Sequence, residues 1–162
     1  MTALNIRSAT VADLDDIGNL AGELVRLHHS LDPMRFFIVE GVERGYARFF
    51  KSQLEDPDAI IVVAEMAGRK VGYAYARLEP RDWNMLLDAC GALHDIFVIE
   101  SERRHGVAAR LLEDVVLRLR ARGAPRLVLS AAVGNETAQR FFERHGFRRT
   151  MIEMTRELGP AT

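Results

Sequence analysis

Apolar residues recur at three- and four-residue steps in the first part of the chain, which is the spacing of one buried helix face. Thr10, with Asp13 three residues later, resembles a capping box, so we predict a helix that begins there and ends near His29. Pro33 follows shortly and disfavours helical geometry at the residue before it. The positions that define the buried face are Val11, Leu14, Ile17, Leu20, Leu24 and Leu27.

The rest of the pattern predicts short strands that alternate with helices. Strands are predicted at 5–8, 59–65, 71–78, 92–98 and 126–132, since most of these runs are short and apolar. Helices are predicted at 42–54, at 107–122 and from Asn135 to His145, the first with Tyr46, Phe49 and Phe50 facing inward. Residues 79–91 are predicted to form a surface loop, and 147–156 one long or two short final strands.

The resulting order of elements is β-α-α-β-β-β-α-β-α-β, which is typical of an α/β domain with a mixed sheet. The chain has 162 residues without a repeat, a low-complexity tract or a visible linker. We therefore expect a single domain that spans residues 1–162.

Composition and charge narrow the function classes. Apolar residues make up 48% and charged residues 28%, which is ordinary for a folded soluble protein. A net charge of −1 gives no general attraction for nucleic acid or an anionic membrane, and no apolar run approaches the roughly 18 residues of a membrane span. The single cysteine, Cys90, excludes an internal disulfide and favours a cytoplasmic location. The five histidines show no metal-ligand spacing, so we expect no metal.

The connection between the strand at 92–98 and the helix at 107–122 carries the first functional signal. Gly106 stands at the helix entrance, where the missing Cβ lets the backbone bend and a ligand approach. A helix N-terminus exposes unpaired N–H groups and about half a positive charge, so it can bind an anion. Residues 1–99 carry 15 acidic and 10 basic side chains, and 100–162 carry 8 and 12, so the second part suits an anionic ligand. The alternative is a plain strand-to-helix connection.

Two motifs in order give this chain a family resemblance. Arg103-x-x-Gly106-x-Ala108 resembles the Q/R-x-x-G-x-G/A signature of the GCN5-related N-acetyltransferases (GNAT), with Ala in place of the last Gly. The run from Asn135 to Phe147 resembles the second motif of that family, N-x-x-A-x-x-F-Y-x-x-x-G-F. The resemblance covers nearly the whole chain. It implies a mixed, mostly antiparallel central sheet flanked by helices, acetyl-CoA as co-substrate, and a homodimer.

The resemblance also implies which residues bind the cofactor. The turn would hold the pyrophosphate of acetyl-CoA through successive N–H groups, and the pantetheine arm would run beside the strand that precedes it. Asn135 has the alternative role of a plain helix cap. The implied cofactor-binding residues are Ile96, Phe97, Val98, Arg103, Arg104, His105, Gly106, Val107, Ala108, Ala109, Asn135, Ala138 and Phe141.

Acetyl transfer to an amine requires a neutral nitrogen. Deprotonating a lysine-like amine at pH 7 costs roughly 4.6 kcal/mol, so a positioned base matters. In the GNAT family this base is often a Glu in the strand that leads into the first motif, and His94 stands at that position here. Asp95 is the second catalytic candidate, although strand alternation predicts that it points to the opposite face. The alternative role for His94 is cross-strand packing. The usual general acid of the family is a Tyr, which is replaced by Phe142.

The acceptor is expected on the other side of the sheet, bordered by residues 28–37 and by the loop around Trp83. The candidate substrate-binding residues are Asp32, Phe36 and Trp83. The region 93–108 resembles small-molecule acetyltransferases of the aminoglycoside 6′ and polyamine types, which implies a small primary amine as acceptor. Two alternatives are open: a coenzyme A-binding sensor or interaction module without turnover, and an acetyltransferase of protein or peptide amines.

Overall fold

A five-stranded sheet is the framework of the computed structural model, which describes residues 3–160. The strands are β1 (Asn5–Ser8), β2 (Ala59–Met66), β3 (Arg69–Glu79), β4 (Cys90–Val98) and β5 (Leu127–Leu129). They lie in the order β1-β2-β3-β4-β5, with the first four antiparallel and β5 parallel to β4. The mixed, mostly antiparallel sheet that the sequence predicts is therefore confirmed.

Within the described residues, four α-helices accompany the strands: α1 (Leu14–Leu31), α2 (Val42–Gln53), α3 (Val107–Ala121) and α4 (Glu136–Arg144). The chain divides into one unit that ends at Ser130 and a second that begins at Ala131 and contains α4. In the first unit, α1 and α2 pack on the sheet face that carries Tyr73 and Tyr75. Helix α3 buries its apolar stripe against β2, β3 and β4 on the other face. None of the helices in residues 3–160 is long and apolar enough to cross a bilayer.

A buried carboxylate locks the start of α1 to the sheet. Asp13 is the third residue of a capping box with Thr10, and its side chain is 2% exposed. Arg7 of β1 donates to both carboxylate oxygens, at 2.7 and 2.8 Å, and Thr10 donates its backbone N–H at 2.8 Å. Lys70 and Glu65 complete the charge cluster. The hydrogen bonds from Arg7 hold the pKa of Asp13 far below its usual value, since they stabilise the charged form more than burial disfavours it.

Replacing Asp13 with Asn should therefore lower the free energy of unfolding by about 3 kcal/mol at pH 7, because it breaks a buried, hydrogen-bonded ion pair. The folded-state pKa of Asp13 lies below its unfolded value, so this stability is complete above about pH 4 and is lost as the pH falls. Denaturant unfolding of both proteins at pH 7 and at pH 3 checks the result. The difference in free energy of unfolding between the wild-type protein and Asp13→Asn should be smaller at pH 3 than at pH 7. Asp15 is an exposed carboxylate in the first turn of α1, two residues after Asp13, and Asp15→Asn should change the free energy of unfolding by less than about 0.5 kcal/mol.

Several element predictions need correction. Strand β5 has three residues rather than the seven predicted at 126–132. On the predicted inward face of α2, Phe50 is fully buried, whereas Phe49 is 41% exposed although its ring packs edge-on against Tyr75 of β3 at 5.6 Å. The final strands predicted at 147–156 do not form, and residues 147–159 have no regular structure. Their apolar side chains do not alternate: Met151 and its neighbour Ile152 are both exposed, so a strand here would bury no consistent face.

Candidate active site

A β-bulge in β4 brings the two catalytic candidates to the same face of the sheet. Tyr75 pairs with Asp95 and Ala76 pairs with Leu93, so His94 is an extra residue without a partner on β3. An extra residue shifts the side-chain alternation of a strand by one position. His94 and Asp95 therefore both contact the tyrosine face of β3, and the prediction that Asp95 points to the opposite face is wrong.

The His94 ring lies on Tyr75, with ring centroids 5.3 Å apart and an angle of 28° between the planes. Its Nε2 is 3.0 Å from Oε1 of Glu79, and its side chain is 43% exposed. A carboxylate only accepts hydrogen bonds, so Nε2 carries the proton in this contact and the lone pair of the neutral ring is on Nδ1. His94 thus has both the packing role that the sequence left open and a free basic nitrogen.

Asp95 is the more enclosed of the two groups. The Tyr73 hydroxyl donates to its Oδ2 at 3.0 Å. Burial raises the pKa of Asp95 above its usual value, opposed by the Tyr73 hydrogen bond and by the positive charges that His94 and His28 carry when protonated. The pKa of Tyr73 is raised well above that of a free tyrosine, first by burial and then by the nearby Asp95 charge. Tyr73 therefore remains a hydrogen-bond donor at neutral pH.

The Tyr73→Phe substitution should raise the pKa of Asp95 further, because it removes the hydrogen bond that stabilises the carboxylate. Burial, which raises this pKa, is then counteracted less. Carbon-13 NMR titration of the Asp95 carboxyl in both proteins measures this shift. Tyr46→Phe is the control, since the Tyr46 hydroxyl is near Asp95 but no hydrogen bond joins them. A carboxyl pKa in Tyr73→Phe equal to or below the wild-type value would contradict this interpretation.

Alternate residues of β3 form a polar row next to this pair, which sequence reasoning missed. Tyr73, Tyr75, Arg77 and Glu79 occupy one face because side chains alternate along a strand. Gln53, at the end of α2, accepts from the Tyr75 hydroxyl and from Nη1 of Arg77, both at 2.7 Å. The alternation of polar-ended side chains at 73, 75, 77 and 79 was the available signal. The contacts join residues that are distant in sequence, so the pattern did not reveal them.

The far end of β4 leads into the turn that the sequence singles out. Pairing between β4 and β5 ends at Leu93, although β4 continues to Val98. Among the described strands, residues 94–98 therefore have a neighbour on one side only. Their other edge presents backbone N–H and C=O groups, to which an extended ligand could hydrogen-bond as an added strand does.

The turn itself combines left-handed backbone with unpaired N–H groups. Gly106 has φ of +78° and Arg104 has φ of +65°. The first α-helical bond is donated by Arg110 to the Gly106 carbonyl at 3.1 Å, so the N–H groups of the three preceding residues point out of the helix end. A Cβ at Gly106 would meet no atom within 4 Å, so backbone conformation rather than crowding favours glycine here. This geometry suits an anion.

Arg103 has a role that the sequence did not predict. Its Nε donates to the Val98 carbonyl at 2.9 Å, and its guanidinium lies over the Phe97 ring, 5.5 Å from the ring centroid. The side chain thus ties the turn to the end of β4. His105 is largely exposed, with Nδ1 at 3.6 Å from Glu102.

The second unit contains the other motif. Oδ1 of Asn135 accepts the N–H of Ala138 at 3.1 Å, so Asn135 caps α4 as the alternative reading predicted. The Phe141 ring contacts Phe142 at 5.2 Å and His145 at 4.4 Å. Phe142, which stands where the family motif has Tyr, is buried. Cofactor contact by Asn135, Ala138 and Phe141 stays a prediction.

The three acceptor candidates differ in their surroundings. Asp32 accepts the N–H groups of Met34 and Arg35, at 3.1 and 3.2 Å, so its carboxylate shapes its own loop. The Phe36 ring lies 4.9 Å from the ring of His28, the residue whose charge acts on Asp95. Trp83 is 74% exposed and lies beside the guanidinium of Arg81.

Comparisons with known proteins agree with this geometry. A model of the acetyltransferase (GNAT) family matches residues 24–147. The chain is 25% identical over 144 residues to the uncharacterized N-acetyltransferase YhfO of Bacillus subtilis, covering 89% of each chain. It resembles the tetramutant of the BH1408 protein of Bacillus halodurans, at 21% identity and a TM-score of 0.83, covering 95% of this chain and 99% of that one. It also resembles the aminoglycoside N-acetyltransferase AAC(6′)-Iy in complex with CoA, at 19% identity and a TM-score of 0.76, covering 99% of this chain and 97% of that one. At sequence identities this low, the two solved structures show only that the fold is shared.

Proposed function

The chain belongs to the GNAT acetyltransferase family and is an N-acetyltransferase, and from this premise we propose that it transfers the acetyl group of acetyl-CoA to the primary amine of a small molecule, with His94 as general base. The observation that carries the proposal is the bulge in β4. It places a free imidazole nitrogen and a carboxylate on one face, next to a strand edge that leads to a helix N-terminus.

The residues of β4 and of the following turn suit acetyl-CoA, whose thioester supplies the activated acetyl group when it is bound. The N–H groups of residues 107–109 would hold the pyrophosphate, and the left-handed Gly106 lets them converge. The open edge of β4 at 96–98 would pair with the pantetheine arm. Arg103 acts by holding the turn against Val98, and Arg104 and His105 contribute through the backbone of the turn.

His94 would take one proton from the ammonium form of the acceptor at Nδ1 and release it to water. The neutral nitrogen then forms a bond to the acetyl carbon as the carbon–sulfur bond breaks. The nitrogen loses its second proton, which ends on the departing sulfur, so that coenzyme A leaves as a free thiol. Asp95, in its charged form, would attract the ammonium group to this face.

Phe142 is buried and has no hydroxyl, whereas the Tyr that relatives have at this position protonates the departing sulfur of coenzyme A. The thiol of coenzyme A is comparable to that of cysteine, with a pKa of about 8.5, so it is a tolerable leaving group near neutrality. The missing acid then costs at most roughly 2 kcal/mol in activation energy, and water can supply the proton.

A small cationic amine is the acceptor class that we propose, because a carboxylate and aromatic rings lie at this site. Asp95 supplies the negative charge, and the Phe36 and His28 rings supply an aromatic border. One solved structure with this fold is the aminoglycoside N-acetyltransferase AAC(6′)-Iy in complex with CoA, and another is AAC(6′)-Iy in complex with a bisubstrate analogue. Aminoglycosides are cationic amines. We further propose a homodimer and a cytoplasmic location.

A second candidate is a coenzyme A-binding module without turnover. Phe142, in place of the family's Tyr, is the observation that favours it. Acetylation of a protein or peptide amine is the third candidate.

Release of free thiol from acetyl-CoA across a panel of amines tests these candidates. The panel should contain polyamines, aminoglycosides, amino sugars and short peptides with a free N-terminus. We expect release above the hydrolysis rate with at least one small amine. Tight coenzyme A binding with no release on any acceptor would support the binding module, and release with peptides alone would support the third candidate.

A further inference from the structure

We propose that Glu79 is a positioning residue that fixes the tautomer of His94, so that Nδ1 is the atom that receives the acceptor's proton. The inference deepens the proposed function and rests on it for its catalytic consequence. The hydrogen-bonded arrangement itself can be tested without turnover.

Two contacts hold the imidazole in one orientation. Its Nε2 is 3.0 Å from Oε1 of Glu79, and its plane lies nearly parallel to the Tyr75 ring at 5.3 Å. Nδ1 has no hydrogen-bond partner within residues 3–160. Because Glu79 accepts and cannot donate in its charged form, the proton of the neutral ring resides on Nε2 and the lone pair on Nδ1.

Glu79 is itself anchored, which is what a positioning role requires. Nε of Arg77 lies 3.4 Å from Oε1 of Glu79. Arg77 also donates to Asp56 and to Gln53, each at 2.7 Å. The hydrogen bond to Asp56 raises the pKa of Arg77 above its already high value, so the guanidinium is charged at any working pH. This chain of contacts ties the imidazole, through β3, to the end of α2.

The arrangement resembles in chemistry the pairing of a carboxylate with an imidazole base, in which the carboxylate selects the tautomer and stabilises the imidazolium that forms. The groups that contact the His94 ring are Glu79 and the Tyr75 phenol, both on β3, and Arg77 contacts Glu79 in turn. The neighbouring carboxylate of Asp95 interacts with the charges of His94 and His28 and with the phenols of Tyr73 and Tyr46. Of these, Glu79 is the one within hydrogen-bonding distance of the ring.

Nitrogen-15 NMR of histidine-labelled protein tests the inference, at a pH where the imidazole is neutral. The His94 signals are assigned by their absence from a His94→Gln sample. We expect a protonated Nε2 and an unprotonated Nδ1 in the wild-type protein and in Glu79→Gln, whose amide oxygen still accepts. Glu79→Met should show a mixture of tautomers, with kcat lowered about 10-fold or more and an unchanged KM for acetyl-CoA.

Asp56→Asn is the matched control, because it changes a carboxylate of the same network that does not contact His94. We expect it to leave the tautomer unchanged. A protonated Nδ1 in the wild-type protein would overturn the inference, as would equal tautomer ratios in wild type and Glu79→Met. If the wild-type protein shows the expected tautomer and Glu79→Met loses it while no amine is acetylated, Glu79 positions His94 as inferred and the proposed function fails.

Discussion

Replacing His94 with Gln should lower kcat at pH 7 by about 10²- to 10⁴-fold, the usual contribution of a positioned general base. Glutamine keeps a side chain of similar length that can still donate to Glu79, but it has no basic nitrogen. His94 is 43% exposed, so the change should cost little stability. The affinity for acetyl-CoA should be unchanged. Steady-state kinetics of thiol release, with a denaturant curve for each protein, measures both effects.

The comparison with Asp95→Asn decides between the two candidates. This variant keeps the acceptor for the Tyr73 hydroxyl and removes the negative charge, so we expect a weaker apparent affinity for the amine and a smaller loss of kcat. If His94→Gln retains wild-type kcat while Asp95→Asn is inactive, the base is Asp95 and the proposed role of His94 is wrong.

Replacing Gly106 with Val should weaken coenzyme A binding by about 10-fold or more. Gly106 has φ of +78°, and a side chain in left-handed backbone costs roughly 1–2 kcal/mol, with β-branched residues worst placed to adopt it. The turn can relieve this strain only by moving the N–H groups that would hold the pyrophosphate. With saturating acetyl-CoA, kcat should stay within a few-fold of wild type. Isothermal titration with coenzyme A measures the affinity.

Gly123→Val provides a matched control at the other end of the same helix. Gly123 has φ of +83°, and a Cβ there would also meet no atom within 4 Å, so the local strain is the same. We expect a similar loss of stability and an unchanged affinity for coenzyme A. Equal affinity losses in the two variants would show that general destabilisation explains the effect, and an unchanged affinity in Gly106→Val would remove the turn from the cofactor site.

Local patterns in the sequence predicted most of the fold. The capping box at Thr10 and Asp13, the spacing in α1 and the glycine before α3 depend on neighbours within a few residues. The structure contains each of them, except that Val11, the first position of the predicted buried face, precedes α1 and is exposed. The strands predicted at 147–156 do not form, because a strand depends on residues that are distant in the sequence. A strand needs a partner strand to satisfy its backbone, and apolar composition alone does not provide one.

Only part of the candidate site could be predicted, because some of its contacts depend on how distant segments pair and not on neighbouring residues. The position of His94 and Asp95 before the turn is visible in the sequence, but a bulge depends on the register between two strands. That register places His94 opposite no residue of β3. Glu79 lies 15 positions from His94, and Gln53 lies 22 positions from Tyr75, so these contacts arise only when the strands and α2 come together.

The most direct test of acetyl transfer is to measure both products in one reaction. Purified protein, acetyl-CoA and each amine of the panel are incubated together, free thiol is followed with time, and the amine is analysed by mass spectrometry. We predict, for at least one small primary amine, a product heavier by one acetyl group in an amount equal to the thiol released. Bound coenzyme A with neither product above the rate of spontaneous hydrolysis would contradict the account.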